Sequence, residues 1–192
     1  MKEDTKGVKM LRGDPKRAIL KLSIPMIVAM SVQTLYNFVD VIWVSGLGPD
    51  ALSAVGFFLP FFYAMMALSN GIGTGGSSAL SRRIGANDPD GADNVANHSI
   101  VLCILVAMAF SLPTTLLSEP IFRFLGAGEV TSLAVSYARI LFAGSIIVFF
   151  TNVANSLLRG EGDTKRAMYA MVLGSLLNIF LDPIFIYTFD MG

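Results

Sequence analysis

The sequence contains apolar runs that are each long enough to form a helix across the roughly 30 Å hydrocarbon layer of a membrane. With 54% hydrophobic residues in 192 and a mean hydropathy of +0.64, the chain is too apolar for an ordinary soluble domain. We therefore predict an all-α membrane protein with five transmembrane helices. Their predicted ranges are 18–44, 51–84, 99–117, 130–158 and 167–188, after an N-terminal segment 1–17.

Basic residues alternate between the two ends of these runs. They are frequent before the first run, after the second and between the fourth and fifth, whereas 45–50 has none and 118–129 has only Arg123. Because basic loops stay on the cytoplasmic side, we predict a cytoplasmic N-terminus and a multi-pass protein of the cell membrane. Acidic and basic residues number 14 each, which excludes a chain-wide basic surface for nucleic acid.

One carboxylate, Asp40, lies inside the first apolar run. An Asp within a membrane helix costs about 2.5–3.5 kcal/mol, so it must face protein or water and is a candidate functional residue. At 100° per residue, Asp40 shares one helix stripe with Gln33, Tyr36 and Asn37. A polar site on this stripe is therefore expected.

A second carboxylate, Asp182, lies in the fifth run, on one face with Met171, Ser175 and Asn178. Both Asp residues lie roughly 6–9 Å below the predicted outer end of their helices. We therefore expect Asp40 and Asp182 to share one cavity.

The residues around Asp182 allow two kinds of site. Pro183 has no amide hydrogen and leaves the carbonyl of Ile179 without its helical donor. That oxygen, the Asn178 amide oxygen and two carboxylates are the hard ligands that Na⁺ takes; alternatively, the carboxylates share a proton. A plain hydrogen bond from each Asp to a neighbouring helix is the structural alternative. Tyr137, at similar depth, is assigned to the same pocket.

Other polar and flexible residues have a structural interpretation beside the functional one. Asn152 and Asn155 lie deeper in the fourth run, where interhelical hydrogen bonds are the usual role of an amide. Met30, Met65 and Met171 either line an adaptable apolar cavity or fill the core. Gly71, Gly73 and Gly76 match a dinucleotide fingerprint but follow no strand, so we predict that they serve helix packing.

Four motifs, in order along the chain, resemble the N-terminal lobe of multidrug and toxic compound extrusion (MATE) transporters. The resemblance covers 13–192 and is greatest to the archaeal and bacterial branch with carboxylates in its first and fifth helices. The motifs are WVSGLGPDALSAVG, ALSRRIGANDPDGADN, LLRGEGDTKRAM and NIFLDPIF. The resemblance implies a twelve-helix protein with two six-helix lobes and alternating access. Residues 18–192 would then be a partial lobe that ends before helix 6 and the C-terminal lobe, and the stop after the fifth run is expected to mark a fragment.

The resemblance also implies an antiporter, coupled to Na⁺ or H⁺, that exports amphipathic and often cationic organic compounds. Asp40, Asn178 and Asp182 match the family's ion or proton site, and Tyr137 and Asn155 match polar residues near it. No cofactor and no enzymatic activity are expected, and the partners are the substrate, membrane lipid and the missing helices. Substrate-cavity candidates are Met30, Gln33, Tyr36, Asn37, Met65, Met171 and Ser175.

Two other functions stay open from the sequence. A lipid-linked oligosaccharide flippase of the same superfamily would need several cationic residues for a pyrophosphate, and only Arg139 lies within a predicted span. A truncated membrane fragment without transport is the second alternative.

Overall fold

The computed structural model of the protein describes residues 6–11, 13–45 and 49–184. Every regular element in these ranges is helical, as predicted. A helix satisfies its backbone hydrogen bonds within one segment, which lipid requires. The helices are α1 (Lys6–Leu11), α2 (Pro15–Ser45), α3 (Pro49–Gly85), α4 (Pro89–Leu116), α5 (Ser118–Phe124), α6 (Thr131–Gly160) and α7 (Thr164–Pro183), with a 3-10 turn at Gly128–Val130.

Four helical stretches of the described chain are long and apolar enough to cross a membrane. They are Pro15–Val39, Leu52–Gly85, Pro89–Leu116 and Gly128–Gly160. The helix α7 has Lys165 and Arg166 in its first turn, and the described chain ends at residue 184. The all-helical membrane class is therefore confirmed, whereas the fifth span, its predicted end at 188 and the cytoplasmic N-terminus stay predictions.

The start of α4 differs from the prediction. The helix begins at Pro89 and not near 99, because the polar cluster that reads as a loop forms its first turns. Asp88 is the N-cap, and its carboxylate accepts a hydrogen bond of 2.9 Å from the Gly91 amide. Pro89 suits the first helical position, where no amide hydrogen is needed. Asn87, with φ of 58°, reverses the chain before this cap.

Two short helices lie in segments outside the predicted transmembrane helices. The helix α1 forms within 1–17, where Val8 and Leu11 pack against the core. The helix α5 forms within 118–129, where Phe122 is completely buried. Segments this short are marginal helices on their own, so packing stabilises them.

The helices α3 and α6 form the centre of the packed body. Earlier in the two helices, Phe58 of α3 contacts Phe142 of α6, and further along, Ser81 of α3 contacts Gly160 of α6. The two helices therefore run parallel. A Cβ on Gly160 would lie 2.8 Å from the Ser77 Cα. Small residues allow two backbones to approach this closely in a membrane.

Two of the three glycines of the apparent dinucleotide fingerprint serve helix packing, whereas a Cβ on Gly71 would have no atom within 4 Å. A Cβ on Gly73 would lie 2.6 Å from the Ser156 Oγ of α6, and one on Gly76 would lie 2.5 Å from the Ser99 Oγ of α4. The packing interpretation of these two glycines is therefore confirmed.

The far half of the same body is filled by aromatic rings. The Phe142 ring is 1% exposed and lies 5.4 Å from the ring of Phe61 and 5.5 Å from that of Phe58, between ring centroids. Phe122 of α5 stacks on Phe142 at 6.4 Å with an interplanar angle of 11°. The guanidinium of Arg139 donates to the Ser118 hydroxyl at 3.0 Å. Together these contacts hold α5 across the end of the body.

The helices α2 and α7 form a separate pair. They pack mainly along each other, and α2 touches α3 at few positions. Apolar side chains on α2 are highly exposed, including Ile19, Leu35 and Phe38. The described chain therefore consists of a tightly packed body and a helix pair beside it.

The turn before α7 repeats the design of the turn before α4. Gly162, with φ of 84°, precedes the N-cap Asp163, whose carboxylate accepts from the Arg166 amide at 3.2 Å and pairs with its guanidinium at 3.1 Å. Asp163 therefore both caps α7 and forms an ion pair with Arg166.

Replacement of Gly160 by Ala tests the close approach of α3 and α6. The new methyl group would meet the Ser77 backbone, so we expect a loss of about 1–3 kcal/mol in stability. Thermal unfolding of the purified protein in detergent measures the effect. Gly75→Ala is the matched control, because a Cβ there has no atom within 4 Å, and it should leave the stability unchanged or slightly higher. Equal melting temperatures for the two variants would contradict this packing.

Asp88 provides a test of the α3–α4 turn by pH. The hydrogen bond from the Gly91 amide is the largest cause that lowers the pKa of Asp88 below 3.8; burial opposes it, and the hydrogen bond and charge of Arg83 lower the pKa further. A lowered pKa means that the stabilisation is present above pH 3.8 and is lost as the pH falls through the folded-state pKa. We expect Asp88→Ala to lower the melting temperature by about 2–4 °C at neutral pH and by less in acid.

Asp90→Ala is the control for this experiment, because Asp90 is an exposed carboxylate in the same turn. A pH-independent difference between wild type and Asp88→Ala would contradict the ionic part of the cap.

Candidate functional site

The helices α2 and α7 start at the same end of the molecule. Gly7 of α1 touches Gly162, directly before α7, and α1 is followed at once by α2. Further along, Tyr36 of α2 meets Asn178 of α7. One contact lies just before the two helices and the other lies far along both of them, so the two helices run parallel.

The Tyr36–Asn178 contact is a direct hydrogen bond between the helices. The Asn178 Nδ2 donates to the Tyr36 hydroxyl oxygen at 3.1 Å. Tyr36 is half-buried, and Asn178 is exposed on the surface of the described chain. The donated bond uses the nitrogen of the amide, and the carbonyl oxygen Oδ1 keeps its capacity to accept or to coordinate a cation.

Asp40 and Asp182 each follow this contact by four residues, one helical turn. Their backbones lie within α2 and α7, and their side chains lie outside the described part of the structure. Because the two helices are parallel, the backbone positions lie at equal heights, about 6 Å beyond the hydrogen bond. The register thus agrees with the matched depth expected from the sequence.

The amides of α6 lie elsewhere. The Asn155 Nδ2 donates to the Ala167 carbonyl at 3.3 Å, eleven residues before Asn178 and so about 16 Å away along α7. The Asn152 Nδ2 lies 3.5 Å from the sulfur of Met66. Both amides join neighbouring helices, and the structure does not bring Asn155 next to Asn178. The Oδ1 atom of Asn155 is buried and has no hydrogen-bond partner among the described residues.

Tyr137 packs against the body. Its ring meets that of Phe58 edge to face, with centroids 5.7 Å apart at 87°. Its side chain is 38% exposed, so part of the phenol faces away from this contact.

The substrate-cavity candidates divide into three groups. On α2, Met30, Gln33 and Asn37 are exposed. On α7, Met171 and Ser175 are half-buried. In contrast, Met65 is 4% exposed within the core cluster of α3, α4 and α6, so its side chain has little surface to offer a substrate. Of the two roles that the sequence left open for Met65, cavity lining and core packing, the structure shows core packing.

Sequence reasoning placed Tyr36 among the cavity residues and missed its bond to Asn178. The spacing contains a usable signal: Tyr36 precedes Asp40, and Asn178 precedes Asp182, by the same four residues. Sequence reasoning also placed only Arg139 within a span, whereas Arg159 lies in the last turn of α6, half-buried, with its guanidinium 2.7 Å from the Ser156 hydroxyl.

A surface pocket of about 640 Å³ lies away from the α2–α7 contact. It is open to solvent and is formed by α5, the 3-10 turn and the start of α6. Its charged members are Glu119, Arg123 and Glu129, of which Glu119 and Arg123 form an ion pair at 2.7 Å. Glu119 and Arg123 neutralise each other's charge. This pocket plays no part in the site expected around Asp40 and Asp182.

Known proteins are similar to this chain along almost its whole length. It is 29% identical to the FAD transporter of Shewanella oneidensis over 89% of this chain and 38% of that protein. It is also 29% identical to the multidrug export protein MepA of Staphylococcus aureus, over 92% of this chain and 40% of that protein. The chain thus spans about two fifths of the length of these relatives.

A solved structure supports the same relationship. The outward-facing conformation of a multidrug resistance MATE family transporter of the MOP superfamily superposes on this chain with a TM-score of 0.94 and 57% identity, covering 100% of this chain and 43% of that one. The MatE family model matches residues 25–184, which include all of α3 to α7 and most of α2. The chain belongs to the MatE family of transporters.

Proposed function

We propose that the protein containing this chain is a secondary active antiporter of the cell membrane that exports amphipathic, mainly cationic organic compounds in exchange for Na⁺ or H⁺. The observation that carries the proposal is the polar contact between two parallel helices that each bear a carboxylate one turn further on. The multidrug export protein at 29% identity supports export as the activity.

In this proposal α7 is a fifth membrane span and the N-terminus is cytoplasmic. The basic residues before α2, at the end of α3 and around the α6–α7 turn support this orientation. Asp40 and Asp182 then lie in the outer half of the membrane, and Arg123 is in an outer connection.

The coupling ion acts between α2 and α7. Asp40, Asp182 and the Asn178 oxygen would bind Na⁺, or the two carboxylates would hold a proton, with Tyr137 beside them. Tyr36 holds the Asn178 amide at 3.1 Å and so orients its oxygen. Binding changes the charge between the two helices and shifts the balance between two arrangements of the pair. Substrate would meet the exposed polar stripe of Gln33 and Asn37.

A second candidate is transport of an anionic substrate on the same scaffold. One relative at 29% identity is a transporter of FAD. A lipid-linked oligosaccharide flippase would also carry an anion. Arg159 is a half-buried cation at the end of α6, and it supports binding of an anionic substrate group at the inner end of the protein. From the sequence alone, only Arg139 counted as a cation within a span. A panel with a cationic dye, a flavin dinucleotide and a lipid-linked pyrophosphate separates these three substrates.

Asp40→Asn and Asp182→Asn test the coupling role in the complete polypeptide reconstituted in liposomes. We expect each variant to reduce gradient-driven efflux of a cationic dye on the order of tenfold, because neither amide can bind or release a proton or neutralise Na⁺. Separate Na⁺ and H⁺ gradients identify the ion. Asp50→Asn is the control, since Asp50 is exposed at the start of α3. Intact efflux in both site variants would show that these carboxylates do not couple transport.

Tyr36→Phe tests the orientation of Asn178. The variant removes the acceptor of one hydrogen bond and keeps the ring, so we expect roughly two- to tenfold weaker affinity for the coupling ion. Ion-dependent changes in tryptophan fluorescence or in transport rate measure the affinity.

Tyr63→Phe is the matched control, because Tyr63 is 66% exposed on α3. A Tyr36→Phe protein with unchanged ion affinity would remove Tyr36 from the proposed site.

A further inference from the structure

The short helix α1 lies against the turn that begins α7. Gly7 is buried, and a Cβ on it would lie 2.8 Å from both the Glu161 carbonyl oxygen and the Gly162 carbonyl carbon. Gly162 has φ of 84°, and a Cβ there would lie 2.8 Å from the Gly7 oxygen. Two glycine backbones therefore touch, with no room for a side chain on either.

The same helix is also seated on the body. Val8 and Leu11 pack against the core cluster that contains Leu80, Ile84 and Ala92, at the end of α3 and the start of α4. Close by, Ser81 donates to the Gly160 carbonyl at 2.7 Å and holds the end of α3 to the end of α6. The seat of α1 therefore consists of the ends of α3 and α6, the start of α4 and the turn before α7.

The position of α1 fixes the start of α2. Only a tight bend separates them, in which the Gly13 amide donates to the Met10 carbonyl at 3.2 Å and the Lys16 amide donates to the Asp14 carboxylate at 3.0 Å. Because α2 touches α3 at few positions, the seat of α1 is one of the attachments of α2 to the body. The helix α1 thus contacts the turn before α7 and leads directly into α2, while α6 also holds the start of α7 through the bond from Asn155 to Ala167.

We propose that α1 is a latch for the end of the lobe at which α2 and α7 begin. While α1 is seated, the starts of the two helices are held against the body and this end is closed. The latch leaves the Glu161–Gly162 turn when this end opens. The inference depends on the proposed alternating-access function.

The test measures exposure of α1 in the complete polypeptide, with its other cysteines replaced by serine, including Cys103. Val8→Cys places a thiol on the seated face of α1. A membrane-impermeant maleimide added to the medium outside inverted vesicles, where the cytoplasmic face is exposed, should label this thiol slowly. Gly7→Ala in the same background should speed labelling roughly tenfold, since the methyl group cannot fit against the turn.

Gly13→Ala is the matched control for the Gly7 variant. The substitution is the same and lies in the same segment, but its nearest atom, the Met10 oxygen, is 3.4 Å from the new Cβ. Labelling should stay as in the parent. Equal rates in the Gly7 and Gly13 variants would overturn the role of the Gly7–Gly162 contact.

A second measurement does not depend on how the Gly7 variant folds. In the Val8→Cys protein alone, labelling during gradient-driven turnover should be several-fold faster than after an ionophore has collapsed the gradient. An unchanged rate, in a protein that exports dye, would show that α1 is a fixed anchor and overturn the latch. Absence of efflux from the parent protein would count against the proposed function instead, and the Gly7 and Gly13 comparison would still decide the contact.

Discussion

The close approach of α3 and α6 is the contact on which the described structure depends. Lipid supplies no hydrophobic force between helices, so association depends on packing that only small residues allow. Gly73 and Gly160 supply it on opposite helices, against Ser156 and Ser77. The helix α4 joins the same body, and α5 closes its far end with a buried aromatic ring. A side chain at Gly160 would separate the elements that hold the core together.

The pair α2–α7 is held in another way. Its two members pack along each other and share the hydrogen bond between Asn178 and Tyr36, whereas the pair adjoins the body at few points. Interhelical hydrogen bonds in membranes contribute about 0.6–2 kcal/mol, far less than an extended packed interface. The lobe thus combines a body that requires much free energy to deform with a helix pair that requires little free energy to move relative to that body. The candidate carboxylates lie on the second part.

The sequence was sufficient to predict the long helices, because their apolar residues are needed both for packing and for contact with lipid. Apolar runs located α2, α3, α4 and α6, and the small residues after Ser69 correctly extended α3 to Gly85. It was insufficient for α1 and α5, because helices of six and seven residues form only where Val8, Leu11 and Phe122 find a buried surface. Asn155 shows the same limit at the site: helical periodicity gives a face, while the partner, here the Ala167 carbonyl, depends on how α7 crosses α6.

These energies indicate where an ion can act. A coupling free energy is typically about 1–3 kcal/mol. That amount cannot separate α3 from α6, whose interface includes the backbone contact of Gly160 with Ser77 and the fit of Gly73 against Ser156. It is comparable with the few contacts that join the pair to the body, such as the hydrogen bond from Asn155 to Ala167. An ion bound one turn beyond Tyr36 and Asn178 would therefore shift the helix pair and leave the body intact. A motion of the pair requires its inner end to be released as well, and α1 is the element placed there.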